Sequence, residues 1–490
     1  MLALLYAVAI LVLTIYGGNL LWMAATHASH DRLRPGPPPE PDEPPEAPET
    51  WPEVTVQLPV YNEPLVIERI IDACARLDYP ARKLEIQVLD DSTDETPRLA
   101  ARRIAYWQRQ GVDIVHVRRS ERRGFKAGAL HNGLQMARGD YIAIFDADFV
   151  PQPDFLRRTI PVLNADAGLG LVQARWGHLN ETASWLTRLQ TVGLDMHFAI
   201  EQQVRDLTGC FLTFNGTAGV WRRRCIESAG GWQGDTIAED LDLSYRAQMG
   251  GWRIRYLDDL AVPAELPSTI EALRAQQFRW AKGSVEVARK LIPSFLRTRI
   301  GARAKTQGTI HLCAHLVYPF VMLAALLHAP LLLQADAESG PSREFFGWMS
   351  LGLTGFVGFL LAQVLAQRRL YANWVDRLSI IPAFMVGTIG LSLNSSRAVI
   401  EGLLGRRTPF LRTPKYGSHF QPEARPRLGL DAWLEIGLCA YSFAGLLALL
   451  VAGEWGGVPF QLFFATGFAL VVMSNFAAPR FQMQPAAHPI

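Results

Sequence analysis

Leu2 to Met23 is apolar and uncharged, a run long enough to cross a bilayer. In lipid every backbone N–H and C=O must find its partner inside the segment, so such a run folds as a helix. Four more candidates lie towards the other end: Ile310–Leu333, Phe346–Leu365, Trp433–Val451 with Glu435 at its edge, and Pro459–Ser474. The chain is thus tied to a membrane at both ends, and what lies between folds as a polar unit hung from it. With 49% of the 490 residues hydrophobic and 19% charged, the composition fits a water-soluble part plus spans. A cleaved leader is the rival reading of Leu2–Met23. It lacks a basic start, and the apolar run exceeds a leader's usual core.

Charge orients the spans. Positive residues appear only after the first run, at Arg32 and Arg34, which places the following segment in the cytoplasm. Pro35–Pro48, dense in proline and glutamate, reads as an extended tether. Ile380–Leu393 is apolar but short, with Arg368, Arg369 and Arg377 before it and Arg397, Arg406, Arg407, Arg412 and Lys415 after. Basic residues on both flanks suit a segment that lies in the interface or re-enters the membrane. Gln334–Glu344, with Asp336, Glu338 and Glu344 against Arg343, suits the outer side. The expected layout is an anchor at 1–30, a linker at 31–52, a cytoplasmic domain at 53–305, two spans within 306–370, an interfacial segment and loop at 371–430, two spans within 431–478, and a cytoplasmic tail at 479–490. That makes five spans, amino terminus outside and carboxyl terminus inside.

A net charge of +2 is uninformative about nucleic acid, but the sequence shows no basic, aromatic-laced module for binding it, and no nucleic-acid partner is expected. Cys74, Cys210, Cys225, Cys313 and Cys439 are scattered without metal-ligand spacing, so free thiols and no zinc are expected.

From Val54 to Tyr256, strand alternates with helix. Val54–Leu58, Glu85–Leu89, Val112–Val117 and Tyr141–Phe145 are short apolar runs, separated by helical stretches near Leu65–Leu77, Thr96–Arg109 and Lys126–Ala137. This pattern implies a parallel sheet with helices on both faces, in which ligands bind at the carboxyl ends of strands. The polar clusters fall there: Tyr61-Asn62-Glu63, Asp90-Asp91, and Asp146 with Asp148. Carboxylates two apart on an extended segment point the same way and suit a hard cation, Mg²⁺ or Mn²⁺, which brings phosphates with it. Taken alone, Asp-x-Asp equally fits a polar strand end. The three clusters together say nucleotide site.

Further on, Phe214-Asn-Gly-Thr-Ala-Gly219 reads as a loop passing close to a ligand or another backbone. Glu239, Asp240 and Asp242 open a helix. Its positive end suits the first two, and Asp242 is placed to pair with Arg246. Ser268 to Glu271 looks like a capping box for a helix on which Gln276, Arg279 and Trp280 share one face.

With these motifs assembled, the chain resembles family 2 glycosyltransferases of the cellulose synthase type, and most of all cellulose synthase-like mannan and glucomannan synthases. The motifs that carry the resemblance are Asp90-Asp91, Asp146-Ala-Asp148, Ala238-Glu239-Asp240, Gln276-Gln-Phe-Arg279-Trp280, Phe214–Trp221, Glu265–Ser268 and Phe410–Lys415. Ala238 departs from the family's threonine, and the chain leaves no room for the cyclic-di-GMP-binding domain of some bacterial cellulose synthases. The resemblance implies an α/β nucleotide-sugar-binding domain of the GT-A type, cytoplasmic and inserted in an α-helical transmembrane protein.

It also implies roles. Tyr61, Glu63 and Asp91, with Asp90, would meet the base and ribose of the donor, and Lys126 its diphosphate. Asp146 and Asp148 would hold Mg²⁺ or Mn²⁺, Asp240 beside Glu239 would be the general base, and Arg279 would clamp phosphate. Trp280, Gln276 and Asn215 would bind the acceptor, while Phe410, Thr413 and Lys415 match a gating loop. One base and one displacement mean inversion, so an α-linked donor yields a β-linkage. The expected partners are a nucleotide sugar (UDP-glucose or GDP-mannose), a growing polysaccharide, the cell membrane and accessory secretion subunits. Single transfer to a membrane lipid is the alternative. The Gln276–Trp280 motif, the Phe410–Lys415 loop and the number of spans favour the polymerase.

Overall fold

The structure, a computed structural model, describes residues 1–33, 50–337, 340–406 and 430–476. The tether Pro35–Pro48, the loop residues Phe410, Thr413 and Lys415, and the tail 479–490 lie outside the described residues.

The predicted alternation builds a sheet. Its first strands, β1 (Val54–Val60), β2 (Leu84–Asp90), β3 (Ile114–Arg118) and β4 (Tyr141–Ile144), run parallel in the order β3-β2-β1-β4. Val56 stands opposite both Ile86 and Ala143. Side chains alternate between two cores, as period 2 requires. Tyr141 and Ala143 pack with helices Ile67–Ala75, Thr96–Arg109 and Phe155–Ala165 on one face. Ile142 and Ile144 pack with Phe125–Met136, Arg223–Ser228 and Glu239–Met249 on the other. Both faces are covered, which is why these strands read as continuous apolar runs.

The rest of the sheet corrects the expectation of parallel strands alone. β5 (Leu169–His178), β6 (Gly219–Arg222) and β7 (Arg253–Ala264) extend it to seven strands in the order β3-β2-β1-β4-β6-β5-β7. β6 is antiparallel to both β4 and β5, while β5 and β7 are parallel. Two of these strands, β6 and β7, lie among the helices between Thr191 and Pro293. β6 is only four residues long, and its pairing with β4 and β5 defines it, not a pattern of its own.

Among the described residues, five helices are long and apolar enough to cross a membrane: Leu2–His30, Ala314–Leu332, Arg343–Leu370, Leu430–Ala452 and Val458–Asn475. They stand where the sequence placed its five spans, and the chain is a multi-pass membrane protein. The doubly basic segment forms a bent pair, Trp374–Gly390 and Ser392–Leu403, with 47° between its helices. Charges inside this bundle are paired, as burial demands. Glu435 meets Arg274 at 2.7 Å and Asn475 Nδ2 at 3.0 Å, and Arg377 meets Glu181 and Asp195. The first cluster ties a span to the polar domain, and the second ties the bent pair to it.

Candidate active site

Each polar cluster sits where a strand runs out. After β1 the chain turns at Asn62, with φ 54°. Its N–H donates to Ser92 Oγ at 2.7 Å, and its Oδ1 accepts from the Thr93 N–H at 2.8 Å. The loops after β1 and β2 are thereby pinned together. Tyr61 has the Arg122 guanidinium 3.4 Å from its ring centroid, and Glu63 is buried. Asp90 is only 1% exposed, with His116 Nε2 at 2.9 Å and the Ser92 N–H at 2.8 Å. Burial raises its pKa, but these bonds outweigh burial and hold it below the ordinary value. Asp91 is gripped through both oxygens by Arg119, whose Nε lies at 2.9 Å.

A second cluster gathers after β4. Lys126, in the first turn of Phe125–Met136, donates to Asp146 Oδ1 at 2.5 Å and to Gly216 O at 2.9 Å. The Asp146 N–H donates to Thr217 Oγ1 at 2.9 Å. Glu239 and Asp240 open the helix Glu239–Met249 and face the same ammonium. A Cβ on Gly216 would lie 3.1 Å from Asp240 Oδ2 and 3.4 Å from Lys126 Nζ, so the loop Phe214–Gly219 runs between acid and base.

The electrostatics follow from crowding. Burial, then the neighbouring Asp240, pushes Glu239 up to about 7 against the pull of Lys126. Burial also raises Asp240. Lys126 is lowered by burial, but Asp146, Glu239 and Asp240 outweigh that and its pKa is raised. Arg279 is brought down to about 10 by burial, opposed by Asp146, which places it within electrostatic reach of that carboxylate.

The helix that carries Arg279, Ile270–Phe295, presents Gln276 and Trp280 to a cavity of about 1710 Å³. Asp240 and Asn215 line the same cavity, which continues among the spans past Tyr318 and His328 to Phe460. Asn215 Oδ1 lies 3.1 Å from His197 Nε2.

Several expectations change. Asp146 and Asp148 are not equivalent, because β4 ends at Ile144 and the chain then turns, with the Phe149 N–H donating to Asp146 O at 3.1 Å. The period of an extended strand does not reach them: 35% of the Asp146 side chain is accessible, while Asp148 is 3% exposed. The capping box at Ser268 gives way to Thr269, whose side chain accepts from the Ala272 N–H at 3.2 Å, because extended backbone continues through Thr269. Asp242 pairs with Arg246 as expected, at 2.6 Å, and also with Lys290 at 2.9 Å.

Among the described residues no group of three or more His, Cys, Asp or Glu could hold a metal ion. Two carboxylates at the end of β4 still fit a hard cation whose remaining oxygen donors come from a diphosphate and water. Arg119 and Arg122 were not singled out from the sequence, since a run of arginines reads as a solvated charge cluster. Their position directly after β3 is the signal that points to them.

The comparisons agree with this geometry. The family described as "Glycosyltransferase like family 2" matches residues 52–283. A probable glucomannan 4-beta-mannosyltransferase of Arabidopsis thaliana is 42% identical over 387 residues, 78% of this chain and 68% of that protein. One from Oryza sativa subsp. japonica is 36% identical over 423 residues, 81% of this chain and 76% of that protein. Among solved structures, the mannosyltransferase PcManGT from Pyrobaculum calidifontis, in complex with GDP-Man and Mn²⁺, superposes with a TM-score of 0.55 at 22% identity. It covers 83% of this chain and 100% of its own, and at that identity the likeness shows the fold.

Proposed function

The chain belongs to glycosyltransferase family 2, among its cellulose synthase-like members, and from that membership we propose that it is an inverting, processive mannosyltransferase extending a β-linked mannan or glucomannan. GDP-mannose is the proposed donor, in keeping with the activity named for its relatives. What supports processive synthesis is the cavity that begins at Asp240 and Trp280 and continues among the membrane helices, giving a product somewhere to go. The catalytic domain is proposed to face the cytoplasm, with the polymer leaving through the chain's own spans across the cell membrane.

In this reading Asp240 takes the proton of the acceptor hydroxyl as that oxygen attacks the anomeric carbon. A carboxylate whose pKa is raised is better matched to that task than an ordinary one. Lys126 and Arg279 meet the charge that gathers on the leaving diphosphate in a site shielded from water. Asp146 and Asp148 would hold Mg²⁺ or Mn²⁺, which when bound neutralises diphosphate charge. Tyr61, Glu63, Asp90 and Asp91 shape the nucleoside end. Trp280 offers an indole face to a sugar ring, with Gln276 and Asn215 supplying polar contacts along the same cavity. The loop of Phe410, Thr413 and Lys415 is proposed to close over bound nucleotide.

The test offers labelled GDP-mannose and UDP-glucose separately to membranes carrying the protein, then digests the product with β-mannanase or β-glucanase. Mannanase-sensitive polymer from GDP-mannose is expected. A labelled lipid with no polymer would overturn processive synthesis.

A further inference from the structure

Arg119 reaches two separate parts of the site with one guanidinium. Nε donates to Asp91 Oδ1 at 2.9 Å and Nη2 to Asp91 Oδ2. On the other side, Nη1 donates to Arg123 O at 2.9 Å and Nη2 to Phe125 O at 3.1 Å. The pair is shielded, with 14% of the Arg119 side chain and 6% of Asp91 exposed. The two carbonyls belong to a turn in left-handed backbone, Gly124 at φ 73° and Phe125 at φ 49°. A phenylalanine there is strained and persists only where its surroundings over-determine it. The next residue is Lys126, whose ammonium meets Asp146 and Gly216 O. The approach is close: a Cβ on Gly128 would lie 2.0 Å from Arg123 O and 2.6 Å from Arg119 Nη1.

We propose that Arg119 is a positioning residue for sugar transfer, clasping the carboxylate after β2 to the strained turn that aims Lys126 at the diphosphate. This rests on the role given to Lys126 above. Asp91, with both oxygens engaged, acts through the same clasp and links the nucleoside end of the site to its phosphate end. Lysine cannot substitute at position 119, because a point charge on a flexible stem does not span a carboxylate and two carbonyls as a rigid fork does.

The full-length enzyme is compared with R119A, R119K, D91N, K126Q and the double variant R119A/K126Q. Misplacing a group by about 1 Å costs on the order of 10²-fold in rate, so R119A and R119K should both lose turnover on that scale with little change in donor KM. The double variant should be hardly slower than K126Q, since Arg119 works through Lys126. Hydrogen exchange of the amides from 123 to 128 should quicken in R119A and in D91N, the second being isosteric and the safer folder. Losses that multiply in the double variant, a fully active R119K, or unchanged exchange in D91N would each overturn the clasp. Wild-type protein that transfers no sugar would count against the functional reading instead, and the exchange comparison would still decide the clasp.

Discussion

Replacing Asp240 by asparagine separates a base from a binder. The amide keeps an oxygen for the Leu241 N–H, which meets Oδ1 at 2.8 Å, so the start of Glu239–Met249 is preserved. Lys126 keeps its 2.5 Å contact with Asp146, and Arg279 is untouched, so the groups proposed to meet the diphosphate remain. What is lost is the ability to take a proton. General base catalysis contributes about 10²–10⁴-fold, which is about 2.7–5.4 kcal/mol of transition-state stabilisation. Were Asp240 merely a charge at a helix start, its loss would cost well under ~2 kcal/mol of stability and leave turnover intact. The assay titrates labelled donor onto the purified variant and then measures polymer at saturating donor. Donor affinity near that of wild type with turnover down by at least about 10²-fold is expected. A folded Asp240→Asn enzyme that makes polymer at more than about one tenth of the wild-type rate would refute the assignment and the inverting mechanism with it.

Excess chelator should abolish transfer and added Mg²⁺ or Mn²⁺ restore it, with Asp148→Ala inactive in either; full activity in chelator would remove the metal from the mechanism. Glu239 has a folded pKa raised to about 7 from 4.5, so its stabilising contribution is complete below the unfolded pKa and is lost as pH rises through about 7. Melting of Glu239→Gln against wild type should therefore show the variant gaining relative stability as pH rises from about 4.5 to about 7 and holding that gain above, and a difference independent of pH would contradict the shift. A reporter inserted in Gln334–Glu344 should be outside the cell and one in Thr413–Gln421 inside; both on one side would make the bent pair Trp374–Gly390 and Ser392–Leu403 a full span.

Much of this architecture was legible in the sequence because it is local. An apolar run in lipid has no choice but helix, so the five long apolar helices could be placed from composition alone. Period 2 and covered faces mark β1 to β4, and the 3.6-residue period puts Gln276 and Trp280 on one side of Ile270–Phe295, where both meet the same cavity. The clusters after β1, β2 and β4 follow from the same logic, since loops at strand ends are where polar side chains can converge.

What only the tertiary structure decided are the pairings across long stretches of chain. β6 is a strand because β4 and β5 flank it, and Asp148 is buried while Asp146 stays accessible because the chain turns after Ile144. Asp91 is held by Arg119, 28 residues on, and Lys126 by Gly216, 90 residues on. Periodicity reports whether a segment faces water, lipid or core. Which two polar groups meet is settled only when the order of the strands brings their ends to one edge of the sheet, and the mutual burial of charges there sets how each one ionises.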